Sequence, residues 1–350
     1  MKNKEYDFVF LTNTPSFYKV NLCNQIALTH SVLLVLYGYG SEAVNTMLNA
    51  NHCNGFDYVF LHNGASEQRN KWKVFIRLIR IMKDVNCKKI LYSGWFVPEY
   101  NILSFFTPKD KNCLICESSA FETTLSGVKG KIKKMIINRM GTALPSGEPH
   151  KKIFDQLGYK GKIVLTGGVG IFNKQPRTLS MRKQREEFRY LYVGRLIECK
   201  NIRFLVQQFN RLGKQLTIVG SGELETELKQ MAGNNITFLG FVENGKLKEV
   251  YQQHDVFILP SKSETWGLVV DEALYWGLPV IASDRVGSSA DLVEKLNTGC
   301  LFSLELPGSL NIAMNKIEQN YQMYIENVRK IDFECRDRKQ VEAYTKLIEK

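Results

Sequence analysis

The chain has 350 residues, 44% of them hydrophobic, and carries 47 Lys and Arg against 35 Asp and Glu. That length accommodates two α/β domains, and the mixed charge with ordinary apolar content excludes a chain disordered throughout. No apolar run reaches the roughly 20 residues of a membrane span, and the start MKNKEYDFVFLTNTPS is interrupted too soon for a signal peptide. In chain order, strands are predicted at 6–11, 32–36, 58–61, 89–92, 114–116, 142–144 and 163–165. Helical periodicity falls at 17–28, 68–83, 98–106, 127–138 and 149–157. Gly167-Gly168-Val169-Gly170 breaks this alternation, and the polar stretch 173–187 reads as a linker. The alternation restarts with strands at 190–193, 216–219, 236–239, 256–259 and 280–282, and helices at 201–209, 224–231 and 246–252. The segment 310–350 is helical in pattern. Strand–helix alternation of this kind predicts two parallel sheets, each with helices on both faces.

Eight irregularly spaced cysteines predict reduced, mostly core residues of a cytoplasmic protein. Cys113 and Cys116 form a C-x-x-C inside an apolar strand pattern, without a second ligand pair for zinc. The net charge of +12 is uneven. Residues 1–170 carry 22 Lys and Arg against 12 Asp and Glu, whereas residues 171–350 carry 25 against 23. The first half therefore suits an anionic partner: nucleic acid, an anionic membrane surface or a phosphorylated acceptor. Two stretches, 71–80 (KWKVFIRLIR) and 129–137 (KGKIKKMII), set cations beside apolar residues at helical spacing. The first reads as a helix with its apolar face on a sheet, the second as an interfacial helix.

The densest signal is Leu259–Asp284, LPSKSETWGLVVDEALYWGLPVIASD. A strand ends at Pro260, a polar loop follows, and a helix is predicted from about Trp266-Gly267 to Trp276. Gly277 and Pro279 stop that helix before the next strand. Glu264 in the loop and Glu272 in the helix stand eight positions apart. Between them the backbone N–H groups of a helix start offer an anion site, and Gly267 permits close approach. A diphosphate in the middle of a molecule suits that site, with a polyhydroxyl group at each carboxylate. A nucleotide sugar has this shape.

The stretch resembles the E-x7-E signature of the retaining glycosyltransferases of family four, through Glu264, Gly267, Glu272-Ala273, Gly277 and Pro279–Ala282. The resemblance covers most of 188–302 well and 1–170 loosely. It implies the α/β GT-B fold: an acceptor domain over 1–170, a nucleotide-sugar domain over 171–330, and a closing helix, 331–350, that returns to the first domain. Gly194-Arg195-Leu196 with Lys200 resembles the family's G-R-L…K motif. That likeness implies Arg195 and Lys200 on the departing diphosphate, Glu264 on the sugar and Glu272 on the ribose. Further donor contacts implied are Gly194, Gly220 and Gly222 in a V-G-x-G turn, Phe241 and Val242 beside the nucleobase, and Trp266, Gly267 and Leu268 at the helix start. Gly287–Asp291 stands where the family has G-G-x-x-E. In the first domain Tyr18, Lys19 and Glu117 end up in strand-end loops and are candidate acceptor contacts. No Asp-x-Asp occurs, so no metal is expected on the diphosphate.

The expectation is a cytoplasmic enzyme, peripheral on the inner face of the plasma membrane. It takes a sugar from a nucleotide diphosphate, UDP-linked, and needs no further cofactor and no nucleic acid. The acceptor is a glycan or a polyprenyl-diphosphate-linked glycan. The alternatives are a GT-B nucleotide-sugar epimerase, and a non-catalytic binding protein on the same scaffold.

Overall fold

A computed structural model of the protein describes residues 4–38, 53, 55–62, 64, 70–177 and 185–349. The predicted helix start at Gln68 and the middle of the 173–187 linker lie outside these residues. The chain divides into two compact units, 1–173 with 334–350, and 174–333.

The first unit is built on a seven-stranded sheet. Its strands are β1 (Lys4–Thr12), β2 (Val32–Leu36), β3 (Asp57–Phe60), β4 (Val85–Ser93), β5 (Asn112–Cys116), β6 (Thr142–Pro145) and β7 (Lys162–Ile163). All pairings are parallel, in the order β3-β2-β1-β4-β5-β6-β7. Alternate residues of β1 feed two cores. Val9 and Leu11 pack with Leu33 and Val35 on one face, and Phe8 and Phe10 with Leu34 and Leu36 on the other. Both faces of β2 are covered, which is why VLLVL reads as an unbroken apolar run. The closing helix, Phe333–Thr345, puts Tyr344 into the second of these cores, 5.7 Å from the Phe10 ring.

The second unit holds six parallel strands, β8 (Arg189–Val193), β9 (Gln215–Val219), β10 (Ile236–Gly240), β11 (Val256–Leu259), β12 (Val280–Ser283) and β13 (Gly299–Phe302). Their order is β10-β9-β8-β11-β12-β13. In each sheet the chain starts in the middle, grows one way, then returns to the other side of its first strand. The reversal falls between β1 and β4, and between β8 and β11. Loops leaving the carboxyl ends of those strand pairs splay apart, so ligands of open α/β sheets sit there.

Arg177, near the start of the second unit, ties down the helix of the densest motif. Its guanidinium donates to the carbonyls of Tyr275 (2.7 Å), Leu274 (3.4 Å), Val328 (3.3 Å) and Ile331 (3.3 Å). These are terminal carbonyls of the helices Leu268–Tyr275 and Tyr321–Arg329, or the residues just past them. Such groups have no partner inside their own helix. The cation also lies over the rings of Tyr275 and Phe333, and burial pulls its pKa down. Arg177→Ala is expected to cost about 2–4 kcal/mol, because several charge-assisted bonds to partly buried carbonyls go at once. Arg177→Lys should recover only part, since an ammonium cannot span four acceptors in a plane. Denaturant unfolding checks this; a loss within 0.5 kcal/mol, by the rough scale of surface substitutions, would show the clamp to be idle.

Candidate functional site

At the β8/β11 reversal two loops meet. The loop after β8 runs through Gly194 and Arg195 into a short 3-10 turn, Glu198–Lys200. The loop after β11 carries Ser261, Lys262 and Glu264. They are tied by a backbone bond from Lys262 N–H to the Cys199 carbonyl (2.8 Å) and by the Lys262–Glu198 ion pair (2.7 Å). This brings Lys200 Nζ onto Glu264 Oε2, with both side chains only 13% and 12% exposed. Ser261 Oγ also faces Glu264 Oε2 at 3.4 Å, and Ser261 itself is fixed through its carbonyl by Ser283 Oγ (2.6 Å). Tyr192 lies beneath: its hydroxyl donates to the Arg195 carbonyl (3.0 Å). Burial, with the nearby Glu264 charge, pushes the phenol well above its usual range.

Arg195 and Lys200, both expected on the departing diphosphate, are oriented differently on this loop. Lys200 turns inward to Glu264, while Arg195 stays exposed. Among the described residues Arg195 makes no side-chain hydrogen bond or ion pair.

The motif helix spans Leu268–Tyr275, two residues shorter at its start than the sequence suggests. Gly267 is its N-cap, at φ +89°. A side chain there would be strained, and a Cβ would press on Glu264, Leu259 and Val286 at 3.2–3.3 Å. Gly267 thus sets the turn that places Leu268 and the first N–H groups beside Glu264. Trp266 is a correction. It is 1% exposed, and its Nε1 donates to Asp271 Oδ2 at 2.8 Å. Its side chain is buried as a core anchor for the helix start.

Glu272 lies one turn into the helix and is mostly enclosed. Tyr251 Oη donates to its Oε2 at 3.2 Å. Burial, with repulsion from Asp271, pushes the Glu272 pKa up to about 7, against the opposing Tyr251 hydrogen bond. A carboxylate in this state gains from hydroxyl groups that replace lost water.

The glycine loops at the ends of β8, β9 and β10 are laced together by backbone bonds. Gly194 N–H reaches Val219, Gly220 N–H reaches Gly240, and Leu196 N–H reaches Ser221. A Cβ on Gly220, at φ +131°, would lie 1.9 Å from the Gly194 carbonyl oxygen. That glycine serves the approach of one loop to the next. A Cβ on Gly222 would likewise lie 2.4 Å from the Leu196 carbonyl oxygen. Beyond β10, Phe241 is 74% exposed and Val242 half-buried.

The loop 285–288 runs beside Glu264–Trp266. Glu264 N–H bonds the Arg285 carbonyl, Gly287 N–H the Glu264 carbonyl, and Ser288 N–H the Trp266 carbonyl. Sequence reasoning gave this loop no definite role; the structure makes it the outer wall of the Glu264 strand-end. Ser261, Tyr192 and Tyr251 were also missed. Tyr251 reaches Glu272 across 21 residues, and the short-range contacts of Ser261 with Glu264 and of Tyr192 with the Arg195 carbonyl follow no motif spacing.

In the first unit, Lys19 and Glu117 come together at the β1/β4 reversal. Lys19 Nζ lies 3.0 Å from Glu117 Oε1, 3.2 Å from Ser93 Oγ and 3.5 Å from Thr12 Oγ1. Burial pulls the ammonium down, but Glu117 and Tyr18 more than offset it, and the pKa stands above its usual value. Tyr18 is raised by the Glu117 charge and by burial. The three predicted acceptor contacts thus form one charged cluster, a second Lys–Glu pair at a sheet reversal.

Residues 179–331, within the second unit, match the family model of the glycosyl transferases group 1. A stretch of 164 residues, 44% of this chain, is 29% identical to an uncharacterized glycosyltransferase of Methanocaldococcus jannaschii, of which it covers 42%. Another of 114 residues, 33% of this chain, is 35% identical to the GDP-mannose-dependent alpha-mannosyltransferase of Mycolicibacterium smegmatis, covering 30% of it. These matches span less than half the length of either relative. The Anabaena protein HepE, solved in complex with UDP-glucose, superposes with a TM-score of 0.67 at 16% identity, over 97% of this chain and all of that one. The fold is GT-B, with two Rossmann-like parallel-sheet units.

Proposed function

We propose that the protein is a retaining glycosyltransferase that moves a sugar from a nucleotide diphosphate to an acceptor hydroxyl. The observation that carries this reading is the Lys200–Glu264 pair at the β8/β11 reversal, with Gly267 and Glu272 behind it. Within the pair each charge neutralises the other. A donor's diphosphate competes for Lys200, and the sugar's hydroxyls compete for Glu264, so binding exchanges one ion pair for two interactions with substrate. Arg195, exposed at the same loop, adds donors to the phosphate oxygens. As the glycosidic bond breaks, negative charge grows on the diphosphate and positive charge on the sugar, and the two residues meet them in turn. Glu272 accepts ribose hydroxyls.

UDP is the proposed nucleotide, in keeping with the UDP-glucose complex of HepE. The proposed acceptor is a glycan or polyprenyl-diphosphate-linked glycan, held near Lys19, Tyr18 and Glu117. The basic first half suits an acceptor that carries phosphate at the inner, anionic face of the plasma membrane. No helix among the described residues is long and apolar enough to cross a membrane. The test is a hydrolysis panel of UDP-, GDP-, ADP- and CMP-sugars with EDTA present. Release of nucleotide from one donor class, undiminished by EDTA, is the expected result. Loss of all activity with EDTA, restored by Mg²⁺ or Mn²⁺, would reject the metal-free site.

A further inference from the structure

The helix Gly127–Ile137 turns its apolar side two ways. Gly130, Ile136 and Ile137 face inward. Gly130 lies so close to the Leu125 carbonyl that a Cβ would come within 2.1 Å of the oxygen. This contact fixes the rotation of the helix. Val128, Ile132 and Met135, at i, i+4 and i+7, are left on the opposite face. They are 73%, 48% and 53% exposed. Lys129, Lys131 and Lys134 are exposed around them, and the helix has no acidic residue. Lys133 turns back, donating to the Thr124 carbonyl at 2.9 Å and lying over the Trp95 ring at 5.3 Å. It thereby pins the loops that carry the exposed rings of Phe96 and Phe121 beside this helix. The helix Lys71–Asp84 has the same plan. Val74 and Leu78 face the core, while Trp72 and Ile76 are exposed among Lys71, Lys73, Arg77 and Arg80.

We infer that the Val128–Ile132–Met135 face inserts into the headgroup–acyl boundary of an anionic bilayer, with the lysines on the lipid phosphates. Charge complementarity selects this occupant. Cations without acids around an apolar stripe match anionic lipid, in which the stripe finds hydrocarbon and the rim finds phosphate. The inference rests on the membrane reading above and adds a mode to it: attachment by insertion, where lysines alone would give only a salt-sensitive attraction.

The experiment is co-sedimentation with vesicles of phosphatidylglycerol and phosphatidylcholine, or of phosphatidylcholine alone, at low and high salt. Charge attraction is screened at high salt and apolar insertion is not. Wild type should bind the anionic vesicles at low salt and retain a measurable part of that binding at high salt. Val128→Ser with Ile132→Ser and Met135→Ser should lose about tenfold or more of the partitioning that survives high salt. The nucleotide-induced thermal shift of this variant should stay unchanged. Lys129→Gln with Lys131→Gln and Lys134→Gln should lose mainly the low-salt part. As a direct readout, Ile132→Trp should be quenched by vesicles with brominated acyl chains. Absence of low-salt binding overturns both the membrane reading and the insertion. Full release of wild type by salt, or equal binding by the serine variant, overturns the insertion alone. Self-association of wild type that the serine variant loses, without vesicle binding, would assign the face to a second copy and overturn the proposal.

Discussion

Lys200→Ala is expected to lower turnover by about 10²–10³-fold, the usual loss when one donor to a developing charge is removed. The structure makes the test sharper than a single substitution. Lys200 also neutralises Glu264, whose side chain is only 12% exposed. Removing the lysine alone leaves a half-buried carboxylate without its counter-charge, at a cost of about 1–3 kcal/mol in stability. Lys200→Ala combined with Glu264→Gln removes both charges and should regain most of that stability. Turnover should stay low in the double variant, because neither the leaving group nor the sugar finds its partner. Glu264→Gln alone should reduce turnover more than donor binding, since its proposed contact strengthens as charge develops on the sugar. Arg195→Ala, exposed and outside this pair, should lower turnover with no loss of stability. If the double variant recovered turnover along with stability, Lys200 and Glu264 would be a structural pair, and the site would have to be sought elsewhere on the β8 and β11 loops.

Much of the fold is legible from the chain because parallel strands covered on both faces are unbroken apolar runs. Val32–Leu36 and Val256–Leu259 appear in sequence with the limits they have in the structure. β13 escapes that rule. It opens on Gly299, where a Cβ would lie 1.8 Å from the Val280 carbonyl oxygen, so the glycine marks close backbone packing and hides a strand. Motif spacing locates Glu264 and Glu272, but pairing Lys200 with Glu264 spans 64 residues and depends on strand order. Nothing local encodes that order. Trp266 misleads for a related reason: a tryptophan at the mouth of a site reads as a ligand contact until Asp271 is seen to hold it inward. The helix Gly127–Ile137 is a third case. Its periodicity defines two apolar stripes, and only the contact of Gly130 with Leu125 decides which one is outside.

Glu272→Gln is expected to stabilise the protein while weakening its grip on nucleotide, and pH separates the two effects. The Glu272 pKa is raised from 4.5 to about 7, first by burial. The folded state therefore holds this proton over a range where the unfolded chain has released it. Stability then falls as pH rises from about 4.5 through about 7. Above that window the folded protein carries the full penalty of a desolvated carboxylate, about 3 kcal/mol at 1.36 kcal/mol per pKa unit. Gln has no charge to desolvate and can still accept from Tyr251 Oη. Glu272→Gln should accordingly raise the melting temperature at pH 8 and leave it almost unchanged at pH 4.5. Nucleotide binding should move the opposite way. The ionised carboxylate is the better acceptor for two ribose hydroxyls, so wild-type affinity for UDP should drop as pH falls through about 7. The variant should bind more weakly at pH 8 and show no such pH dependence. A protein that keeps a destabilising carboxylate gains by it only when a ligand occupies the site, which is the trade expected of a binding residue. Melting curves at the two pH values and UDP titrations across them check both halves. A variant that melts like wild type at pH 8 would mean that Glu272 is better hydrated than its enclosure suggests. Equal UDP affinity in variant and wild type would remove Glu272 from the ribose.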